Sequence, residues 1–253
     1  VVRASYNDYT TINVSSPSFK IYPQITVSNP LVTDQLVAGT NYANLIKWTR
    51  TGTKSVSFKV IYSTDGTTYP DPGNVLTALG TVADGTTGFT WNIPAATTLS
   101  NTARVKVIDN ANINVFGLSA FFKIKGGLTL TAPTGSGTSW TASSTTNNVT
   151  WNYSGAFPVE IRYDPNSGLG ADGLSGTPLT DADNYPTLIG TAAAPVPTSG
   201  ANSFTWNMSA LGTNTTTVTN KGRVKIFNPA DAAGVVSEGT DFKIGAQFNV
   251  SSP

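Results

Sequence analysis

The sequence predicts an all-β chain of tandem two-sheet sandwiches, and three observations lead there. Short β-branched or aromatic segments alternate with period 2 and are punctuated by clusters of Gly, Pro, Asn, Asp and Ser. The tripeptide Phe-Lys-Ile recurs at Phe19–Ile21, Phe122–Ile124 and Phe242–Ile244, and each copy is followed by an alternating run that ends in Pro. No stretch of ten residues keeps an apolar stripe at i, i+3, i+4 without a Gly, Pro or Thr run breaking it.

Taken in order, residues 1–21 carry Val2-Arg3-Ala4-Ser5-Tyr6 and Phe19-Lys20-Ile21, which read as the last two strands of a preceding repeat. The first full repeat, 22–125, opens on Ile25-Thr26-Val27-Ser28-Asn29-Pro30 and closes on Phe122-Lys123-Ile124. The second, 126–245, opens on Leu128-Thr129-Leu130-Thr131-Ala132-Pro133 and closes on Phe242-Lys243-Ile244. Matched segments follow one order inside both: Ile46-Lys47-Trp48 with Val149-Thr150-Trp151, Phe58–Tyr62 with Val159–Tyr163, Phe89–Asn92 with Phe204–Asn207, and Arg104–Val107 with Arg223–Ile226. Residues 246–253 read as the start of a following repeat, so the parent chain is expected to be longer. Repeats of about 100 residues with about seven strands fit an immunoglobulin/fibronectin-III-like sandwich. Trp48, Trp91, Trp151 and Trp206, internal to matched strands, are then expected in the cores.

Composition narrows the function. Only 11% of the 253 residues are Asp, Glu, Lys or Arg, against about 25% in an average soluble protein. About a quarter are Ser or Thr, and a surface of hydroxyls and amides points to an extracellular cell-surface or cell-wall setting. With no Cys and no His, thiol nucleophiles, disulfides, Ser-His-Asp triads and His-based zinc sites are excluded. A net charge of +1, with the basic residues scattered, argues against nucleic acid as a partner. No apolar run approaches the length of a transmembrane helix.

The stretch Leu128–Trp151, with Pro133, Trp140-Thr141-Ala142-Ser143 and Val149-Thr150-Trp151, resembles the opening of the Ser-Thr-rich membrane-anchored-type repeat, found in tandem in fungal cell-wall and bacterial surface proteins. Tyr62–Tyr69 resembles its central hairpin, Phe89–Pro94 its next strand, and Ala103–Val107 with Phe122–Ile124 its last two. The first repeat departs by placing Leu36 where the second has Trp140. The resemblance implies a modular extracellular scaffold, surface-layer-like, and transfers no catalytic residue.

One feature exceeds the repeat. Trp48 to Trp91 spans 43 residues and Trp151 to Trp206 spans 55, so the second repeat carries 12 more, around 164–185. Loops longer than a fold needs are disproportionately functional. Asp164, Asn166 and Asp172 repeat an acid-amide-acid spacing beside a Gly-rich turn, and Asp181 or Asp183 completes an oxygen set suited to calcium. A solvated turn that satisfies its own backbone is the competing reading. Gly168–Gly173 matches G-x-G-x-x-G, but no helix follows to receive a pyrophosphate. Glu160 and Asp164 as a glycosidase pair lack any sign of a cleft. Asp65-Gly66 and Asp84-Gly85 read as hairpin turns, and the alternation around Arg104, Lys106, Arg223 and Lys225 puts these cations on a solvent face. Asn13, Asn148, Asn152, Asn207, Asn214 and Asn249 lie in glycosylation sequons, and the Thr-rich runs 138–146 and 213–219 are candidates for O-linked glycans.

Two functions remain. The first is a non-enzymatic structural repeat of a surface-layer or wall-coat protein, whose partners are copies of itself or neighbouring repeats. The alternative is an adhesin or carbohydrate-binding module, for which Tyr69, Tyr153, Tyr185 and Trp140 are the available sugar-face aromatics.

Overall fold

The structure is a computed structural model that describes residues 2–7, 9–52, 57–69, 78–83, 88–165, 185, 187–192, 200–208 and 218–246. It is all-β: two sandwiches of immunoglobulin/fibronectin-III type, preceded by the antiparallel hairpin of β1 (Arg3–Tyr6) and β2 (Tyr9–Ser15). Among the described residues no helix is long and apolar enough to cross a membrane.

In the first sandwich, β3 (Gln24–Asn29), β5 (Asn41–Thr51) and β8 (Phe89–Asn92) make one sheet, in the order β3-β5-β8. The facing sheet runs β4 (Gln35–Val37), β11 (Phe122–Lys125), β9 (Ser100–Asp109), β6 (Ser57–Ser63) and β7 (Ala78–Ala83), with β10 (Asn112–Leu118) also paired to β9. The second sandwich repeats this plan. Its small sheet is β12 (Gly127–Ala132), β14 (Asn147–Ser154) and β17 (Gly200–Trp206). Its larger sheet is β13 (Ser139–Thr141), β20 (Phe242–Gly245), β18 (Thr219–Phe227), β15 (Val159–Asp164) and β16 (Thr187–Ala192), with β19 (Val236–Glu238) on β18.

Both repeats end on a broken strand. Ser119 N–H donates to the Val105 carbonyl at 2.9 Å between β10 and β11, and Gly239 N–H donates to Val224 in the same way at 2.9 Å between β19 and β20. Leu36 and Trp140 occupy one position, since Leu36 pairs in parallel with Ile124 and Trp140 with Ile244. The departure at Leu36 is therefore a substitution within a shared strand pair.

Period-2 alternation explains the cores, because successive side chains of a strand point to opposite faces. Along β9, Ala103, Val105 and Val107 are buried inward while Arg104 and Lys106 point outward. Trp91 is met at a tilt by Tyr62 at 4.9 Å and edge-on by Phe122 at 6.1 Å. Trp206 has the matching neighbour Tyr163 at 4.9 Å, and Trp140 takes up the space beside it at 5.9 Å. All four tryptophans expected inside are buried.

The first Phe-Lys-Ile departs from expectation. Phe19–Ile21 lies outside any strand, with Phe19 and Ile21 exposed. A short strand exists only by pairing: β11 lies between β4 and β9, whereas β1 and β2 pair with each other and offer Phe19–Ile21 no such slot.

Replacing either central indole removes the contact that spans its two sheets. Trp91→Ala and Trp206→Ala are each expected to cost about 3–5 kcal/mol, read as a lower urea midpoint. The loss should fall on the sandwich that carries the substitution.

Candidate functional site

Two features stand out beyond the folded cores: the outer face of each larger sheet, and the joint between the sandwiches. On the outer face of the first sandwich, Lys59 of β6 stands opposite Ile108, Ile61 opposite Lys106, and Ser63 opposite Arg104. Across β9 the same rows continue into Phe116, beside Ile108, and Leu118, beside Lys106. Lys106 Nζ sits 4.0 Å from the Phe116 ring and 5.2 Å from Tyr69, and the Arg104 guanidinium lies 4.8 Å from Phe121. Burial pushes the Lys106 ammonium down and the Tyr69 phenol up to about 12. At the neighbouring turn, Asp65 accepts hydrogen bonds from the Ser63 hydroxyl and from the backbone N–H groups of Thr67 and Thr68, which holds its carboxyl well below the usual range. Gly66, at φ +72°, completes the turn expected at Asp65-Gly66; Asp84-Gly85 lies outside the described residues.

The second sandwich builds the same face with different chemistry. Glu160 stands opposite Phe227 and Glu238 opposite Lys225. Glu160 accepts from Arg162 Nε, while Arg223 donates from Nε to Asp241 and from Nη1 to Glu238 at 3.2 Å. Lys225 is buried, with Nζ 4.2 Å from the Tyr185 ring, so it does not stand on a solvent face as the alternation suggests: an aromatic from beyond the strand covers it. Tyr185 is fully buried and adopts φ +57°. Burial, and the Glu238 carboxylate facing it, push its phenol far up. Tyr69 and Tyr185 thus do one job, capping the equivalent lysines Lys106 and Lys225.

This corrects the sugar-face reading of the aromatics. Tyr185 and Tyr153 are buried, Tyr153 against Phe157 at 5.9 Å. Trp140 packs on Trp206 and Phe242, and Tyr69 is half-buried over Lys106. These rings fill cores or cap cations instead of forming one exposed platform. The exposed rings of this region are Phe116 and Phe121, each 44% exposed, which the sequence does not single out because Phe next to a Phe-Lys-Ile strand reads as core.

Of the five residues expected to hold calcium, Asp164 is described: it is buried at the end of β15, in register with Arg223. Asn166, Asp172, Asp181 and Asp183 lie outside the described residues, as do the Gly168–Gly173 motif and the sequons at Asn214 and Asn249. Asn13, Asn148, Asn152 and Asn207 are exposed.

The joint is compact. Gly126 alone separates β11 from β12, and a Cβ placed on it would come within 2.1 Å of the Phe157 ring. The Ser154 hydroxyl donates across the joint to the Ala38 carbonyl and accepts from Gly127 N–H at 3.2 Å. Gly155 N–H donates to the Ala95 carbonyl at 2.7 Å. Leu99 packs against both cores, and Lys123 pairs with Asp231 at 2.6 Å. A cleft of about 330 Å³ remains beside this contact, lined by Leu99, Asn101, Phe157 and Asn228 together with that ion pair. The Gly126-Gly127 pair at the repeat boundary is the one signal in the sequence that could have located it.

No protein-family model matches the sequence, and no curated protein matches it. Among solved structures the chain is similar to the fibronectin(III)-like modules of Clostridium thermocellum CbhA, at 11% identity and TM-score 0.24, over 91% of this chain and 100% of that one. It is also similar to the N-terminal four Ig domains of Dscam1 isoform 8.4, at 10% identity and TM-score 0.31, over 91% of this chain and 48% of that one. A third is the N-terminal three domains of the bacteriophage RB49 highly immunogenic outer capsid protein, at 12% identity and TM-score 0.24, over 88% and 59% of the two chains. The chain spans about half the length of the Dscam1 chain. The fold assignment rests on the strand order and register described above.

The tyrosines raised by burial have a pH signature. Tyr69 is held up to about 12, and Tyr62, Tyr163 and Tyr185 are also raised, each chiefly by burial. A phenol whose folded pKa exceeds its unfolded value stabilises fully below about pH 10 and loses that contribution as pH rises through the folded value. Phenolate absorbance should therefore lag behind that of the unfolded chain above about pH 10, with the melting temperature falling over the same range.

Proposed function

We propose that this chain is a non-enzymatic structural segment of a long extracellular cell-surface protein, a surface-layer or wall-coat component, in which successive sandwiches stack end to end. The joint is the observation that carries this reading. A linker of one glycine, a hydroxyl bonded to both sides, a half-buried ion pair and a leucine shared by two cores together hold two units at one angle. Flexible tethers need none of these, and Gly/Ser linkers of several residues are the usual means of freeing domains. The hydroxyl-rich, charge-poor surface fits a lattice whose lateral contacts are weak singly and additive together.

Glycans on the exposed Asn or Thr sites would suit the same setting, as would calcium bound through Asp164, Asn166, Asp172, Asp181 and Asp183. The adhesin alternative keeps no support from Tyr153 or Tyr185, which are buried.

The joint is testable because the chain has no Cys, so a pair of introduced cysteines at Asn92 and Asn152 can be spin-labelled without competition. The distance distribution between the labels should be narrow. Ser154→Ala combined with Asp231→Ala should widen it, since each lost hydrogen bond or ion pair is worth about 1 kcal/mol. A distribution already broad in the parent chain would refute the rigid-segment reading.

Calcium has a separate test. If the 164–185 segment binds it, millimolar calcium should raise the melting temperature and slow protease nicking between Asp164 and Tyr185, and chelator should reverse both. No change would return the segment to the solvated-turn reading.

A further inference from the structure

The two outer faces differ in a way that folding does not require. At three equivalent positions the second sandwich has carboxylates and the first has none: Glu160 becomes Lys59, Glu238 becomes Leu118, and Asp241 becomes Phe121. The cations shared by both faces, Arg104 with Arg223 and Lys106 with Lys225, therefore meet carboxylates in the second sandwich only. Among the described residues, no carboxylate forms an ion pair with Lys59, Arg104 or Lys106. The first face is left with three positive charges set among Phe116, Phe121 and half-buried Tyr69. In a chain that is only 11% charged, such an imbalance stands out.

The complementary imbalance lies in the same chain. Residues 166–184 carry Asp172, Asp181 and Asp183, no Lys or Arg, and the three leucines Leu169, Leu174 and Leu179. Three acids with interspersed leucines match three cations with interspersed aromatic rings in both sign and apolar character. Complementary potentials of this kind set partner choice and register, and exposed aromatics beside Arg are the usual makings of an interface centre.

We propose that the outer β6-β9-β10 face of the first sandwich is a docking surface for the acidic 166–184 segment of a second copy of this chain. The contact is lateral, between neighbouring rods, whereas the joint is longitudinal. It is heterologous, with a face on one copy and a segment on the other, so it propagates instead of closing on itself as a two-fold dimer does. The proposal rests on the array reading only in taking copies of the chain as neighbours.

Sedimentation velocity of the whole chain in chelator, so that calcium cannot neutralise Asp172, Asp181 and Asp183, across a concentration series and from about 50 mM to about 500 mM salt, provides the test. Self-association is expected at low salt and should weaken at least about tenfold at high salt. A face variant, Lys59→Glu with Arg104→Glu and Lys106→Glu, should be monomeric, as should a segment variant, Asp172→Lys with Asp181→Lys and Asp183→Lys. The decisive sample is the mixture of the face variant with the parent chain. The face variant keeps its acidic segment and can dock on a parent face, but it offers no face of its own, so it should cap the parent's assemblies and shorten them. The segment variant and the face variant, each monomeric alone, should associate when mixed, since one supplies the native face for the other's native segment and the two reversed charges also attract.

Near-ultraviolet circular dichroism checks that each variant folds, and Phe116→Ser, at a side chain already 44% exposed, gives a milder face variant expected to weaken association without loss of fold. A parent chain that stays monomeric at low salt overturns the proposal, as does a folded face or segment variant that associates like the parent. Polygalacturonate is included as a probe. If it binds the parent face while the chain remains monomeric, the partner is an acidic glycan and the copy-to-copy contact is overturned. The spin-label result at the joint is independent of all these outcomes, so failure here leaves the rigid-segment reading standing or falling on its own measurement.

Discussion

Each sandwich is organised around an indole that bridges the gap between its sheets. Trp91 enters from β8 and Trp206 from β17, and each finds two rings from the opposite sheet at aromatic contact distance, Tyr62 and Phe122 for Trp91, Tyr163 and Trp140 for Trp206. Because side chains alternate along a strand, placing these rings inward fixes which residues of β6, β9, β15 and β18 face out. The positions of Lys106 and Lys225, and so the chemistry of the outer faces, are consequences of packing in the core.

Much of this was legible in the sequence, and the reason is physical. The matched runs Val159–Tyr163, Arg104–Val107 and Arg223–Ile226 alternate strictly in sequence, and Phe58–Tyr62 does so except at Ile61, so both their strand nature and the shared plan can be read largely from period. Period does not reveal what covers an outward residue. Lys225 alternates like an exposed strand lysine yet lies beneath Tyr185, which arrives from beyond a long insertion. The same limit misplaced Tyr153 and Tyr185 as sugar-binding candidates. Phe19-Lys20-Ile21 shows the converse: the same letters as β11 and β20, without neighbouring strands to pair with, do not make a strand.

The candidate sites were less legible than the fold because they arise from differences between repeats. Self-similarity identifies what the units share, whereas the joint depends on Ser154 and Gly126, and the first outer face depends on Lys59, Leu118 and Phe121 standing where its sister has carboxylates. These substitutions become visible only once register assigns each residue its counterpart. Positions that a shared core leaves free are where one repeat acquires a role its neighbour lacks.

The parallel pairing of β4 with β11, and of β13 with β20, has a mechanical consequence. In each unit an early strand lies beside the last one, pointing the same way, through three consecutive residue pairs. Tension applied along the chain draws the early strand towards one end and the last strand towards the other, so the hydrogen bonds between them are loaded side by side in shear. Bonds loaded together must yield together, unlike those of a hairpin peeled open one at a time. A unit wired in this way resists extension most at the strand pair next to its joint.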